Sequence, residues 1–311
     1  MVINKEKNFI SAIIYVHNNE EEIVNTLNNM NNVLEANFEK YEIICVNDCS
    51  KDGSVKKIKE AAENIQGSVI SVLNMSYYQG IELSMDAGVD LAIGDFVFEF
   101  DNAYMDYKAE TIMNIYYHSL KGFDIVSASP KTRMKTSSML FYKLFNSYSN
   151  NPNQLKTETF RILSRRAINR VQSMNKTIPY RKAVYSNCGL KVDTLYYEIS
   201  SSDARVNVNV NERKELAIES LILFTDIAYK FTLFIALLMM IGIIGVVIYT
   251  ISIFMTKQPV AGWTTMMLLL SIGLFGIFSI LAIIIRYLSI IIELIFKKQK
   301  YMIESIEKIT K

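Results

Sequence analysis

Two long apolar segments that carry no charge, Phe231–Met255 and Ala261–Ile285, constrain this chain more than any other feature of its sequence. Each reaches the roughly 20 residues that a helix needs to cross the hydrocarbon core of a bilayer. Lipid offers backbone N–H and C=O groups no partners, so such segments are expected as helices that satisfy their own hydrogen bonds. The rest of the chain differs in kind. Half of the 311 residues are hydrophobic, yet 21% are charged, and the charges are gathered outside the two segments. Before Phe231 short apolar runs alternate with polar ones over a length that can bury a core of its own. The expectation is a folded N-terminal domain tied to a two-helix membrane anchor.

Basic residues set the expected orientation. Arg213, Lys214 and Lys230 precede the first span, Arg286, Lys297, Lys298 and Lys300 follow the second, and Lys257 lies in the connection. Cytoplasmic flanks carry the excess of Lys and Arg, which puts both ends of a multi-pass protein on the cytoplasmic face of the cell membrane. The opening residues MVINKEKNFI hold no apolar run long enough for an export signal. Cys45, Cys49 and Cys188 form an odd set without the spacing of a disulfide framework or a zinc site, and are read as reduced thiols. A net charge of +2 singles out no partner class. Gly242, Gly245, Gly273 and Gly276 are placed either for close helix contact, as in a homo-oligomer, or simply to face lipid.

Within the N-terminal region, Phe9–Val16 is β-branched and apolar like a strand buried on both faces, and the polar cluster His17–Glu20 follows it. Glu21–Leu34 carries Ile23, Leu27, Met30 and Leu34 at helical spacing. Tyr41–Val46 predicts a second strand, Val55–Ile65 a helix, Ser68–Leu73 a strand, Ile81–Ala92 a helix and Phe96–Phe100 a strand ending at Asp101. Such alternation implies a mostly parallel sheet with helices on both faces and a ligand crevice at the carboxyl ends of its strands. The clusters Asn18–Glu20, Asn47–Ser50 and Asp101–Asp106 all follow strand ends and should converge there. Beyond Tyr107, Thr111–Leu120 predicts a helix, Asp124–Ala128 a strand, Ser138–Ser149 an aromatic helix and Arg161–Met174 a basic helix. Val206–Asn211 alternates like an edge strand, and residues 213–230 form an amphipathic juxtamembrane segment.

Several motifs in this order resemble the family 2 glycosyltransferases of GT-A fold, in particular the polyprenyl-phosphate glycosyltransferases with two C-terminal transmembrane helices, such as the dolichol-phosphate mannose synthase and bactoprenol glucosyltransferase group. Tyr15–Glu21 stands where that family has a Pro-x-Tyr-Asn-Glu-Glu turn. Val46-Asn47-Asp48-Cys49-Ser50-Lys51-Asp52-Gly53-Ser54 resembles its nucleotide-binding loop. Gly80-Ile81-Glu82 with Ala87–Asp95, and Phe160–Arg166, are similar to two further segments. There are departures. The family's Asp-x-Asp reads Asp101-Asn102-Ala103, Asn47 replaces an acid, Cys49 a glycine and Tyr77-Tyr78 an Arg-Asn pair, and Thr159 stands in place of an acid.

The resemblance implies a GT-A-like domain over residues 1–212, spans at 231–255 and 261–285, and a basic cytoplasmic tail over 286–311. It implies transfer of a sugar from a nucleotide-sugar donor to a polyprenyl phosphate or related acceptor, with no nucleic acid partner. Asn18, Glu20, Asp48, Ser50 and Asp101 would bind the donor, Asp48 by accepting a hydrogen bond from a uracil-type imide. The alternative is that Asp48 and Ser50 merely cap the following helix. Asp101 would be the catalytic carboxylate and the ligand of Mg²⁺ or Mn²⁺, a metal that phosphates and waters can largely coordinate. On local sequence alone it is a strand-end turn residue. Arg161 and Arg181 would meet the acceptor phosphate, with Arg165, Arg166 and Lys182 nearby in sequence. Arg165 and Arg166 read equally as a solvated or headgroup-facing basic surface. His17 and His118 have no partner spacing for a metal or a triad. The second implied outcome is a catalytically impaired relative that serves as a binding or scaffolding subunit in envelope polysaccharide assembly.

Overall fold

A computed structural model describes residues 5–65, 68–131, 136–148, 154–174, 180–200, 227–257, 260, 262–295 and 301–309. The chain divides into two compact units, Met1–Ala217 with Lys298–Lys311, and Ile218–Lys297.

The first unit is built on the expected alternation: β1 (Ile10–Val16), α1 (Ile23–Asn37), β2 (Tyr41–Asn47), α2 (Ser54–Asn64), β3 (Val69–Met75), α3 (Ile81–Leu91) and β4 (Phe96–Phe100). α4 (Glu110–Ser119), β5 (Ile125–Pro130), α5 (Thr136–Tyr148), β6 (Phe160–Ser164), α6 (Arg165–Ser173), α7 (Arg181–Ser186) and β7 (Val192–Tyr197) follow. The second unit holds α8 (Ile227–Lys257) and α9 (Trp263–Ile295), after which β8 (Ile303–Ile309) returns to the first. The eight strands lie in the order β7-β5-β6-β4-β1-β2-β3-β8. The central β4-β1-β2-β3 block is parallel, and the pairings β4–β6, β5–β6 and β3–β8 are antiparallel.

Strands covered on both faces must be apolar on both faces, and β1 and β2 are buried along their whole length apart from half-buried Tyr15. One face of the sheet, with Ile14, Cys45, Val72, Phe98, Phe100 and Phe160, packs under α1, α2 and α4. α3 lies against β1 and β2. There a Cβ on Gly88 would come within 2.6 Å of Ile13 Cγ2 and 2.8 Å of Val46 Cγ2, so helix and sheet touch through glycine.

Two sequence expectations change. Arg161 does not begin a basic helix: residues 160–164 form β6, and the helix starts only at Arg165. Ser164 divides the two by leaving the helical region and accepting a hydrogen bond from Ala167 N at 3.1 Å. The segment after the second apolar helix is more than a tail, because Ile303–Ile309 completes the sheet beside β3. Within one chain, a Cβ on any of the four anchor glycines would meet nothing within 4 Å, as either reading of them allows. Val206–Asn211 and residues 213–226 lie outside the described residues.

α8 and α9 pack against each other. Within them Leu233–Thr256 and Trp263–Ile285, of mean hydropathy 2.7 and 2.8, are long and apolar enough to cross a membrane.

Candidate functional site

The turns that follow β1 and β2 are zipped together. Asn18 N donates to Ser50 Oγ (3.1 Å), Lys51 N to Asn18 Oδ1 (2.8 Å), Asn19 N to Ser54 Oγ (2.9 Å) and Glu20 N to Asp52 Oδ2 (3.0 Å). Glu20 Oε2 accepts from Gly53 N at 2.9 Å, and a Cβ on Gly53 would collide with that carboxyl at 2.7 Å. Asn18 and Cys49 both adopt φ of +53°, the left-handed region in which the chain doubles back. Asn18, Glu20 and Ser50 are therefore brought together as expected, and the atoms that join them are the backbone donors that helix and strand ends leave over.

Asp48 sits beneath this surface, wholly buried. Its Oδ2 accepts from Tyr15 OH at 2.9 Å and its Oδ1 from Gln79 N at 2.8 Å. Burial first, and then the Asp48 charge, push the Tyr15 phenol far above its ordinary value, so it stays a donor. His17 Nδ1 lies 2.6 Å from the Asp48 carbonyl, and its ring stands 4.6 Å from that of Tyr78. As arranged, Asp48 holds Tyr15 and the 76–80 loop, and it does not cap α2, whose first turn is instead served by Asp52 accepting from Ser54 N at 3.1 Å.

The third strand end is a buried ionic cluster. In β4, Phe96, Phe98 and Phe100 point to one face, so Glu99 points to the other, and the antiparallel register sets it directly opposite Arg161 of β6. Arg161 Nη1 donates to Glu99 Oε2 (2.6 Å) and Nη2 to Asp101 Oδ2 (2.8 Å). Arg181, from α7, donates from Nη2 to Asp101 Oδ1 (2.8 Å) and from Nε to Glu82 Oε2 (3.0 Å), with Nη1 3.0 Å from Glu99 Oε1. Tyr185 OH donates to Glu99 Oε1 at 2.8 Å. Glu158 lies 3.4 Å from Arg161 Nε, and Lys182 Nζ stands 4.0 Å from Asp101 Oδ2 and 3.9 Å from Glu158 Oε1. Burial alone would raise the pKa of Asp101, but Arg161 and Arg181, with Lys182 behind them, more than reverse this and hold the carboxyl well below the ordinary range.

The model of glycosyl transferase family 2 matches residues 11–172, more than half of the chain. This chain belongs to glycosyl transferase family 2. It is 26% identical over 188 residues to an uncharacterized glycosyltransferase of Synechocystis, covering 58% of each chain. It is 27% identical over 194 residues to the prophage bactoprenol glucosyl transferase homolog of Escherichia coli K12, covering 60% of this chain and 62% of the other. The chain thus spans about three fifths of the length of these curated relatives. Among solved structures it resembles the mannosyltransferase PcManGT of Pyrobaculum calidifontis, in complex with GDP-Man and Mn²⁺, at a TM-score of 0.51 and 13% identity over 70% of this chain and 63% of that one. Glucosyl-3-phosphoglycerate synthase of Mycobacterium tuberculosis, with Mn²⁺, UDP and phosphoglyceric acid, gives 0.50 at 10% identity over 69% and 76%. The fold is GT-A.

The residues of this family 2 chain do not fit a divalent cation at Asp101 as they stand. Both carboxylate oxygens are taken by guanidinium groups, a third cation is 4.0 Å away, and Ala103 stands where the family motif has its second acid. Among the described residues no cluster of three or more His, Cys, Asp or Glu side chains could hold a metal. An incoming ion would meet three positive charges at close range. Arg161 and Arg181, 0% and 1% exposed, are likewise paired with carboxylates beneath the surface. Arg165 donates to the Ala92 and Gly94 carbonyls, and Arg166 pairs with Asp124, so these two brace α6 against its neighbours.

Glu82, Glu99, Glu158 and Tyr185 escaped the sequence analysis. The signal for one of them, Glu99, was present: Phe96-Val-Phe-Glu-Phe100 carries one charge in an otherwise apolar strand, and a lone charge in a buried strand needs a partner, here Arg161. Arg181, Lys182 and Tyr185 lie outside the matched residues 11–172.

Proposed function

We propose that this chain is a membrane-anchored glycosyltransferase that moves a sugar from a nucleotide-sugar donor to a polyprenyl phosphate at the cytoplasmic face of the membrane. The observation that carries this is the joined pair of turns, residues 18–20 and 50–54, at the carboxyl ends of adjacent parallel strands in a family 2 chain that also has two apolar helices. That is where open α/β sheets receive ligands. UDP or GDP is the donor nucleotide class, as in the solved GT-A structures. A phosphate acceptor, with a second pKa near about 6, is largely ionised at neutral pH and attacks without a general base, so Thr159 in place of an acid is no obstacle. Lys182, whose side chain is 14% exposed, is the cation of the cluster nearest to solvent.

A second reading is favoured by one specific observation. The cluster sets three cations, Arg161, Arg181 and Lys182, against four carboxylates, Glu82, Glu99, Asp101 and Glu158, and is closed on itself. A phosphate would have to take an arginine from its carboxylate. A family member built this way serves as a nucleotide-binding or scaffolding subunit.

The deciding experiment incubates the detergent-purified chain with undecaprenyl phosphate and UDP-glucose, UDP-N-acetylglucosamine or GDP-mannose, in Mn²⁺ and in EDTA. Glycolipid formation is expected if the chain is an enzyme. Nucleotide binding without any glycolipid selects the subunit, and no binding of either nucleotide sinks the donor site itself.

A further inference from the structure

β8 reaches the candidate donor site through one side chain. The loop 76–80 leaves β3 and enters α3 at Gly80, where φ of +81° makes the turn. It presents Tyr77 and Tyr78, 53% and 41% exposed, beside the turn that carries His17. Two partners fix its backbone. One is Asp48, which accepts from Gln79 N at 2.8 Å. The other is Met302, just ahead of β8, whose carbonyl accepts from Ser76 N (3.2 Å) and from Gln79 Nε2 (2.6 Å). The bond is returned: Met302 N donates to Gln79 Oε1 at 2.8 Å. A primary amide is the side chain that can donate and accept at once, so Gln79 pairs with the Met302 backbone as a strand neighbour would. On either side, Tyr301 OH donates to Asp90 Oδ2 (2.6 Å) and Asn74 Nδ2 to Ser305 Oγ (3.0 Å).

We infer that Gln79 is a positioning residue, through which the strand that follows the second apolar helix holds the 76–80 loop and Asp48 in the arrangement that binds a nucleotide. The proposal rests on the donor site described above. Nothing in the matched region 11–172 contains the second half of this clamp, since Met302 lies 130 residues beyond its end, 302 − 172.

The test uses the full chain in nanodiscs, as wild type, Gln79→Met and Met302→Pro. The first substitution removes both side-chain bonds at similar volume, and the second removes the Met302 N–H from the other side. Hydrogen exchange of residues 76–80 and 301–305 is expected to accelerate together in both variants, by on the order of tenfold. The affinity for UDP or GDP, whichever the wild type binds, is expected to fall about fivefold, while the melting temperature moves by no more than about 2 °C. Faster exchange at 301–305 alone, or unchanged nucleotide affinity, overturns the proposal and leaves β8 as a mere edge strand. If the wild type binds neither nucleotide, the donor reading falls, while joint exchange still supports the clamp and independent exchange still overturns it.

Discussion

Asp101 is held by two arginines whose guanidinium groups see almost no water, so its charge is worth most when neutral pH keeps it ionised. Its folded pKa is well below that of the unfolded side chain, about 3.9. The stability it confers is thus complete above that value and drains away as pH falls through about 4 towards the folded pKa. Asp101→Asn should cost about 3 kcal/mol at pH 7, because it strands buried cations. In urea unfolding of the detergent-solubilised chain, the gap between wild type and variant should narrow from pH 7 to pH 3.5; a constant gap would contradict an ionised Asp101. Loss of activity in Asp101→Ala would consequently report on folding as much as on chemistry. Cys49 is the opposite case. A cysteine at φ of +53° stands where the family has glycine, and Cys49→Gly should relieve about 0.5–1 kcal/mol and raise the melting temperature by a few degrees. Cys49 was visible in the sequence as a departure from the family motif, and Asp101 as the one carboxylate of its Asp-x-Asp that is kept. What was not visible was that Asp101 had been enclosed, because Arg161 and Arg181 come from elements 60 and 80 residues away.

Among the elements, those governed by local periodicity were legible and those governed by a partner strand were not. β1, α1, β2, α2, β3, α3 and β4 fall within about three residues of their expected ends, since a buried parallel strand is continuously apolar and an amphipathic helix repeats at 3.6. β6 was hidden in a helical pattern because Arg161, Arg165 and Arg166 look like one basic face until the Glu99–Arg161 register pulls the first of them into the sheet. β8, with exposed Ile303 and Ile306 and the charges Glu304, Glu307 and Lys308 among its seven residues, has the guarded look of an edge and little to distinguish it from a tail. The joint between α3 and the sheet offers a test at this scale. Gly88→Ala would drive a methyl into Ile13 and Val46, and the helix would have to lift off β1 and β2. An expected loss of about 1–3 kcal/mol follows, read as a lower urea midpoint with the slope unchanged.

For the molecule as a whole, β8 restricts the topology more tightly than the charge pattern does. Ile303–Ile309 pairs with β3 over six registered residue pairs, so chain on either side of α8 and α9 belongs to one folded unit. A domain cannot form across a bilayer, and the number of crossings between residue 200 and residue 301 must be even. If both apolar helices of sufficient length cross, that number is two. In the function proposed above, the excess of basic residues outside the hairpin would put the sheet in the cytoplasm and the connection around Val260 on the far side. In a background where Cys49 is replaced by Gly, single cysteines at Val260 and at Glu304, both exposed, make the prediction readable. A membrane-impermeant maleimide applied to intact spheroplasts should modify Val260→Cys and leave Glu304→Cys untouched until the membrane is opened. Equal labelling of the two from outside would mean that the apolar pair lies on the membrane or spans it differently, and would remove the premise that brings the β1 and β2 turns to a lipid-borne phosphate.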